Sequence, residues 1–437
     1  MRSLDGVATP GLDLRLRVPS AELLALPWLE PLGQWDATTV PIRDFPVGPS
    51  RHLVRFVEAD GRVWALKELP LRIARREYDI LRGLEDRSLL AVRPAGVVVQ
   101  PFEDTAILVT RYLDGSWQYR RLLMRLPSPM RKHRERLFDA MAALLVDLHR
   151  NGFYWGDCSL ANTLFKRDGQ RLQAWMVDAE TSESHPSLSD GQRAMDLDIL
   201  VENVAGGLLD VAARLGEDAE VFEQIAEEAE GTRGRYADLW DLIHEEPTIR
   251  LSDRHEIEAR LRRLNDLGFA VDEVRLVSTG PGSEELRLQF GVAERDYHAE
   301  QLRRLTRLDV GEGQATVLLN DLRAYQAHLQ HLGQEADDET AARRWLAEVF
   351  HPGMGLAEEA MGGAGDPIQA YCDLLEVRWL LSERAGHDVG EVPALQAIAA
   401  RNPPDESAAQ MAVADVATSQ LPALTQERIE ELGLDDD

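Results

Sequence analysis

The sequence predicts an α+β protein: an antiparallel sheet carrying one helix, a mainly helical segment after it, and an appended, mostly helical C-terminal domain. Three observations predict it. Short apolar-polar alternations crowd residues 37–113 and read as antiparallel strands. Apolar residues then recur at helical spacing through much of 130–248 and again beyond 254. Finally, 437 residues are more than one core usually spans, which calls for two domains and a small third.

Taken in order, GLDLRLRV (11–18) alternates as a strand, and 20–35 reads as a short helix interrupted by Pro27 and Pro31. HLVRFVE (52–58) and RVWALKEL (62–69) flank Asp60-Gly61, a dipeptide suited to a two-residue hairpin turn. Ile73, Glu77, Ile80, Leu81 and Leu84 place a helix at 71–86, and AGVVVQPF (95–102) and TAILVTRYL (105–113) follow as strands. A long helix spans 130–151 with Leu137, Met141, Leu144, Leu145 and Leu148 on one face, closed by Asn151-Gly152. Next come WGDCSLANTLF, a strand pair around Asp168-Gly169, and the strand AWMVD ending at Asp178. Residues 192–248 read as helices broken at Gly206-Gly207 and Gly231. Glu245-Glu246-Pro247 and a fresh cap at Ser252-Asp253 mark a boundary. Beyond it lie a helix (254–267), a hairpin around GPGS (279–283), and helices at 295–307, 312–332, 338–350 and 367–385. The division is an N-terminal extension (1–36), a first domain (37–248), a mostly helical domain (249–398) and an acidic tail (399–437), expected to be loosely held.

Composition narrows the function. No run approaches the roughly 20 apolar residues that cross a bilayer, and the first twenty residues build no secretory signal, so a cytoplasmic protein without a membrane span is expected. Residues 1–120 hold 16 basic and 16 acidic residues, leaving the whole charge of −28 to the rest, which speaks against nucleic acid as a partner. The basic run Arg131–Arg136 reads as a solvated helix face. Cys158 and Cys372 stand far apart, as reduced thiols rather than a disulfide or zinc pair. Trp345 and Trp379 fall at helical spacing and read as core or interface. Only Lys67, Lys132 and Lys166 are lysines, so a lysine among aliphatic residues is not filler.

Lys67 is such a residue, in WALKEL on a strand, and Glu77 on the next helix is the carboxylate placed to hold it. Asp157 and Asn162 share the loop between the long helix and the strand TLF; Asp178 ends AWMV. Asp and Asn are also ordinary turn formers. In this order, however, they supply what transfer of a terminal phosphoryl group needs: a cation for phosphate oxygens, ligands for Mg²⁺, and a carboxylate for the nucleophile's proton.

The segments WALKELP, ARREYDILRGL, LVTRYLDG, LHRNGFYWGDCSLANTLF and MVDAE resemble the protein-kinase-like fold, and within it the bacterial lipopolysaccharide (Kdo/WaaP-like) kinases. The likeness covers residues 37–205; the whole chain resembles the uncharacterised domain-of-unknown-function 4032 family, which joins such a half to a helical one. The resemblance implies a bilobal kinase-like domain at 37–248. It implies that Lys67 contacts the α- and β-phosphates of ATP, that Glu77 pairs with it, that Asp157 is the catalytic base, and that Asn162 and Asp178 hold Mg²⁺. Thr110 to Leu113, with Thr110 and Tyr112, would be the hinge for adenine, and Gly48 would serve the phosphate loop.

Departures from the pattern matter. Trp155-Gly156-Asp157 stands where protein kinases have His-Arg-Asp, which removes the arginine for an activation-loop phosphate. Asp178-Ala179-Glu180 replaces Asp-Phe-Gly, leaving Glu180 as a second ligand or an exposed acid. Gly48 is the one glycine in DFPVGPSRHLV (44–54), a poor phosphate loop. Asp196 or Asp198 would brace the Asp157 loop from behind, or act as an ordinary acid in a helix first turn. Gly311-Glu312-Gly313 reads as a helix start, and Cys158 as a passive small residue. The expectation is a Mg·ATP-dependent phosphotransferase acting on an unidentified hydroxyl acceptor, with a protein partner as one role for the C-terminal domain. The alternative is a pseudokinase that serves as a nucleotide-binding or interaction scaffold.

Overall fold

In the computed structural model the N-terminal sheet is built by β1 (Asp13–Leu16), β2 (Ile42–Arg43), β3 (Val54–Ala59), β4 (Arg62–Pro70), β5 (Pro94–Val99) and β6 (Thr105–Arg111). They lie in the order β1-β5-β6-β4-β3-β2, every neighbour antiparallel. The structure describes residues 11–17, 20–45, 51–102, 104–120, 122, 131–246, 248–250, 254–269, 271–278, 285–292, 295–334, 337–363 and 365–413. Asp60 and Gly61 both have positive φ (51° and 67°), the turn whose twist matches the strands it joins. Between 20 and 35, α1 (Ala21–Leu24) ends before Pro27, and a 3₁₀ turn (Leu32–Gln34) starts directly after Pro31. They pack Leu23, Trp28, Leu32 and Trp35 against Trp64, Leu66 and Val98 on one face of the sheet. On the sheet, α2 (Leu71–Glu85) buries Ala74, Glu77, Ile80, Leu81 and Leu84.

Below it, α3 (Arg131–Arg150) buries the expected leucine and methionine face and ends at Gly152, φ 77°. Short strands follow: β7 (Ser116–Gln118) beside β9 (Thr163–Asp168) and β10 (Arg171–Met176), and β8 (Phe153–Tyr154) beside β11 (Glu183–Ser184). Then come α4 (Asp190–Leu215), α5 (Ala219–Glu230) and α6 (Thr232–His244). The break expected at Gly206-Gly207 is absent. α4 runs through both and stops at Gly216, φ 74°. Gly207 is a packing position, where a Cβ would lie 3.2 Å from Leu160 and 3.4 Å from Tyr119. Within the basic run at the start of α3, residues 133–136 are not a solvated face either. Arg134 is buried and forks onto Glu228 at 2.7 and 3.1 Å, because a guanidinium can be buried once its fork is matched.

The second half begins with β12 (Thr248–Arg250), α7 (Arg254–Asp266), β13 (Val271–Ser278) and β14 (Glu285–Val292), a sheet in the order β12-β14-β13. Pro247, Ser252, Asp253 and the GPGS turn lie outside the described residues. The helices are α8 (Tyr297–Thr306), α9 (Glu312–His331), α10 (Asp338–Trp345), α11 (His351–Ala360), α12 (Pro367–Ala385), α13 (Glu391–Ala399) and α14 (Ala409–Val413). A π turn, Leu346–Phe350, joins α10 to α11, so the helix expected to stop at 350 continues. Trp345 is buried as expected, whereas Trp379 is 59% exposed, on the side of α12 that faces away from the core.

The halves interlock at the β9–β10 turn. The Asp168 carboxylate accepts from the amides of Gly313 (2.8 Å) and Gln314 (2.9 Å) in the first turn of α9. A Cβ on Gly311 would stand 2.3 Å from that carboxylate, and one on Gly313 would stand 2.0 Å from the Asp168 carbonyl. Arg167 forks onto Asp373 of α12, while Gln369 bonds both the N–H (2.9 Å) and the C=O (2.8 Å) of Gly169. The main core likewise takes in Leu264, Phe269 and Met411 beside residues of α3 and α4. Part of the tail expected to be loose is held: Ser407 Oγ and the Ala408 amide bond Glu376, and Ala409 and Met411 are buried. Residues 414–437 lie outside the described residues.

Candidate active site

Strand β4, helix α2 and the segment after β10 bring three charges to one point. Lys67 Nζ lies 2.9 Å from Asp178 Oδ2 and 3.1 and 3.3 Å from the Glu77 carboxylate oxygens. Burial pushes the Glu77 carboxyl up to about 7, against the pull of Lys67. Burial works against the Lys67 ammonium too, but Glu77 and Asp178 together hold it above its ordinary value. Glu77 Oε1 also accepts from the Ala179 amide (3.4 Å), which ties α2 to the residue after Asp178.

The Asp157 loop is held from two sides. Behind it, fully buried Asp196 accepts from the amides of Trp155 (2.7 Å) and Gly156 (2.8 Å), from His149 Nε2 (3.0 Å) and from the Cys158 thiol (3.3 Å). Burial lowers the His149 pKa against the pull of Asp196, and the ring bridges Asp196 through Nε2 and the Tyr236 hydroxyl through Nδ1 at 2.8 Å. Asp196 is therefore the brace, and Asp198 is an exposed acid paired with Arg233. Burial pushes the Cys158 thiol well up, in keeping with a passive residue. In front, the hydroxyls of Thr181 and Ser182 both donate to the Trp155 carbonyl at 3.0 Å. Gly156 takes φ 80°, and a Cβ there would lie 3.1 Å from the Thr181 carbonyl, so this position needs glycine.

The Asp157 carboxyl is raised by burial, lowered by Asn162, and raised again by Asp178. Asn162 donates from Nδ2 to the Asp157 backbone carbonyl (3.3 Å), and its own backbone carbonyl accepts from the Val177 amide (3.1 Å), which ties the loop to the segment that carries Asp178. These groups line one cleft of about 420 Å³, with Thr110 and Tyr112 at its other end. There Phe45 stacks on Tyr112 (4.7 Å, 12°), with Phe56 edge-on to both. Every expected site residue except Gly48 lines this cleft, and Gly48 lies outside the described residues.

Sequence reasoning missed Phe45, Arg51 and His52, all of which line the cleft. His52 Nε2 meets Glu180 Oε2 at 3.1 Å, so Glu180 is engaged across the cleft. The signal lies in DFPVGPSRH, where an aromatic, an arginine and a histidine flank the one glycine.

Residues 61–211 match the model of the lipopolysaccharide kinase (Kdo/WaaP) family. Over that stretch the chain is kinase-like. Residues 238–401 match a second model, Domain of unknown function (DUF4032). The solved structure of "WaaP in complex with acyl carrier protein" is similar at 18% identity and TM-score 0.32, over 51% of this chain and 88% of that one. No curated protein matches the chain. Among the described residues no helix is long and apolar enough to cross a membrane.

Proposed function

We propose that the chain is a phosphotransferase that moves the terminal phosphoryl group of Mg·ATP to a hydroxyl acceptor. The observation that carries this reading is the meeting of Lys67, Glu77 and Asp178 in one cleft with Asp157 and Asn162. In the proposed roles, Lys67 binds non-bridging oxygens of the α- and β-phosphates, and Glu77 keeps its ammonium in place. Adenine occupies the aromatic end, against Thr110, Tyr112 and Phe45, where stacked rings and aliphatic walls suit a flat base. Asp178 and the Asn162 amide, with Glu180 near, form a set of hard oxygen donors that fits Mg²⁺ better than zinc. When bound, that ion would neutralise charge on the phosphates. Asp157 orients the acceptor hydroxyl and takes its proton, and its raised pKa brings it closer to the range useful for a base. We further take residues 37–248 as the kinase-like domain and 249–398 as a helical domain that serves recognition of the acceptor or a protein partner.

A thermal-shift titration with ATP, with and without Mg²⁺, tests the reading. Saturation at a hundred times the dissociation constant adds about 2.7 kcal/mol, and the shift should require the metal. Absence of any metal-dependent shift overturns the nucleotide assignment; a shift without phosphoryl transfer to any acceptor or water favours the scaffold.

A further inference from the structure

The segment that enters β3 brings Arg51 and His52 into the wall of the nucleotide cleft, and neither has a part in the roles proposed above. Its place is fixed from two sides. On one, the Leu53 carbonyl accepts from the Glu68 amide (2.9 Å) and Val54 stands opposite Lys67, so the pairing of β3 with β4 runs on past the lysine. On the other, His52 Nε2 meets Glu180 Oε2 at 3.1 Å, two residues beyond Asp178. Counting back along the chain, Phe56 marks the aromatic end of the cleft beside Tyr112, Val54 the position of Lys67, and Arg51 the end that holds Asp157. Arg51 is exposed there, and its charge reaches the base. The Asp157 carboxyl is raised by burial, lowered by Asn162, raised by Asp178 and lowered again by the Arg51 guanidinium.

The chemistry gives that position a use. Charge in phosphoryl transfer is spread over the three equatorial oxygens of the moving group. Lys67 is assigned to the α- and β-phosphates, and DFPVGPSRHLV (44–54) offers a single glycine where backbone amides would approach phosphate closely. Four carboxylates line the cleft with three fixed cations, so charge balance by itself calls for no anion. The anion comes from the phosphotransferase reading, on which this inference rests.

We propose that Arg51 is a catalytic residue of that transfer, its guanidinium bound to the γ-phosphoryl oxygens in place of the amides that a glycine-rich loop would supply. In the step, the acceptor oxygen forms a bond to the γ-phosphorus and its proton passes to the Asp157 carboxylate. The bond from the γ-phosphorus to the bridging oxygen breaks, and its electron pair leaves on ADP. Arg51 gains and loses no proton; it neutralises charge on the three non-bridging oxygens, which its planar fork can meet two at a time.

Calorimetric titration of the full chain with Mg²⁺ and either ADP or the non-hydrolysable β,γ-methylene analogue of ATP tests this, because the two ligands differ in the γ-phosphoryl group. Wild type should hold the analogue more tightly than ADP. Arg51→Ala should weaken the analogue about tenfold or more, the scale of one hydrogen bond to a charged group, and leave ADP as in wild type. Arg51→Lys should recover part of that loss, since it restores the charge without the fork. Aluminium fluoride added with Mg·ADP, a mimic of the phosphoryl group in transfer, should tighten ADP binding in wild type and not in Arg51→Ala. Equal loss of both nucleotides in Arg51→Ala, wild-type discrimination between them in that variant, or no preference for the analogue in wild type overturns the assignment of Arg51 while the nucleotide reading stands. Wild type that binds neither nucleotide overturns both.

Discussion

Two clusters of buried charge occupy this molecule, one in the cleft and one in the seam between the halves, and they are built differently. In the seam, Asp168 is capped by two helix amides, Arg167 is forked by Asp373, and Gly311 and Gly313 leave room for the acid and nothing else. In the cleft, Lys67 is shared between two carboxylates, while Asp157, Asn162 and Asp178 all border an open volume of about 420 Å³. A closed cluster holds parts together. Charge gathered around space is arranged for something that enters it.

The largest effect is expected at Asp157. Asp157→Ala should lower phosphoryl transfer by about 10²–10⁴, the effect of losing a positioned proton acceptor, with little change in nucleotide binding. Single-turnover kinetics beside a binding titration measures both, and an equal loss in the two would make Asp157 a ligand for nucleotide rather than a base. Next in size is the seam. Asp373→Ala strands the Arg167 guanidinium in the interior and should cost about 3–5 kcal/mol in urea unfolding, most of it recovered when Arg167→Met is combined with Asp373→Leu. A smaller loss is expected from Gly313→Ala, about 1–3 kcal/mol, because its Cβ would meet the Asp168 carbonyl at 2.0 Å.

The last effect is a pH dependence. Glu77 has its pKa raised from 4.5 to about 7 in the folded protein. The folded state therefore keeps a proton that the unfolded chain releases, and the stability this contributes is present below about 4.5 and lost as pH rises to about 7. Function runs the other way. Protonated Glu77 no longer holds the Lys67 ammonium, so ATP affinity should fall as pH drops below about 7. Glu77→Gln should flatten both profiles; unchanged profiles would mean that another group titrates there.

Much of the site was legible because its parts sit on locally determined elements. Lys67 lies on an alternating strand next to a two-residue turn, Glu77 within the apolar stripe of a helix, and Asp157 and Asn162 on a loop between a capped helix and a strand. What escaped notice was set by contacts far apart in the chain. Nothing in the spacing of Phe45 announces that it stacks on Tyr112, and Arg134 resembles any other surface arginine until Glu228 is seen beside it. Gly206-Gly207 misled because glycine weakens a helix by only about 1 kcal/mol against alanine, less than packing against Leu160 and Tyr119 can offset.

Local pattern alone determined the opening hairpin, the stripe of α2, the leucine face of α3 and the limits of α12, since backbone preference and apolar spacing act over a few residues. Only the tertiary structure decided that Lys67 reaches Asp178 across 111 residues, that Asp196 and not Asp198 supports the Asp157 loop, and that Asp168 plugs the start of α9. Such choices depend on which surfaces close around which charge, and a buried carboxylate takes whichever donors the packed chain brings to it.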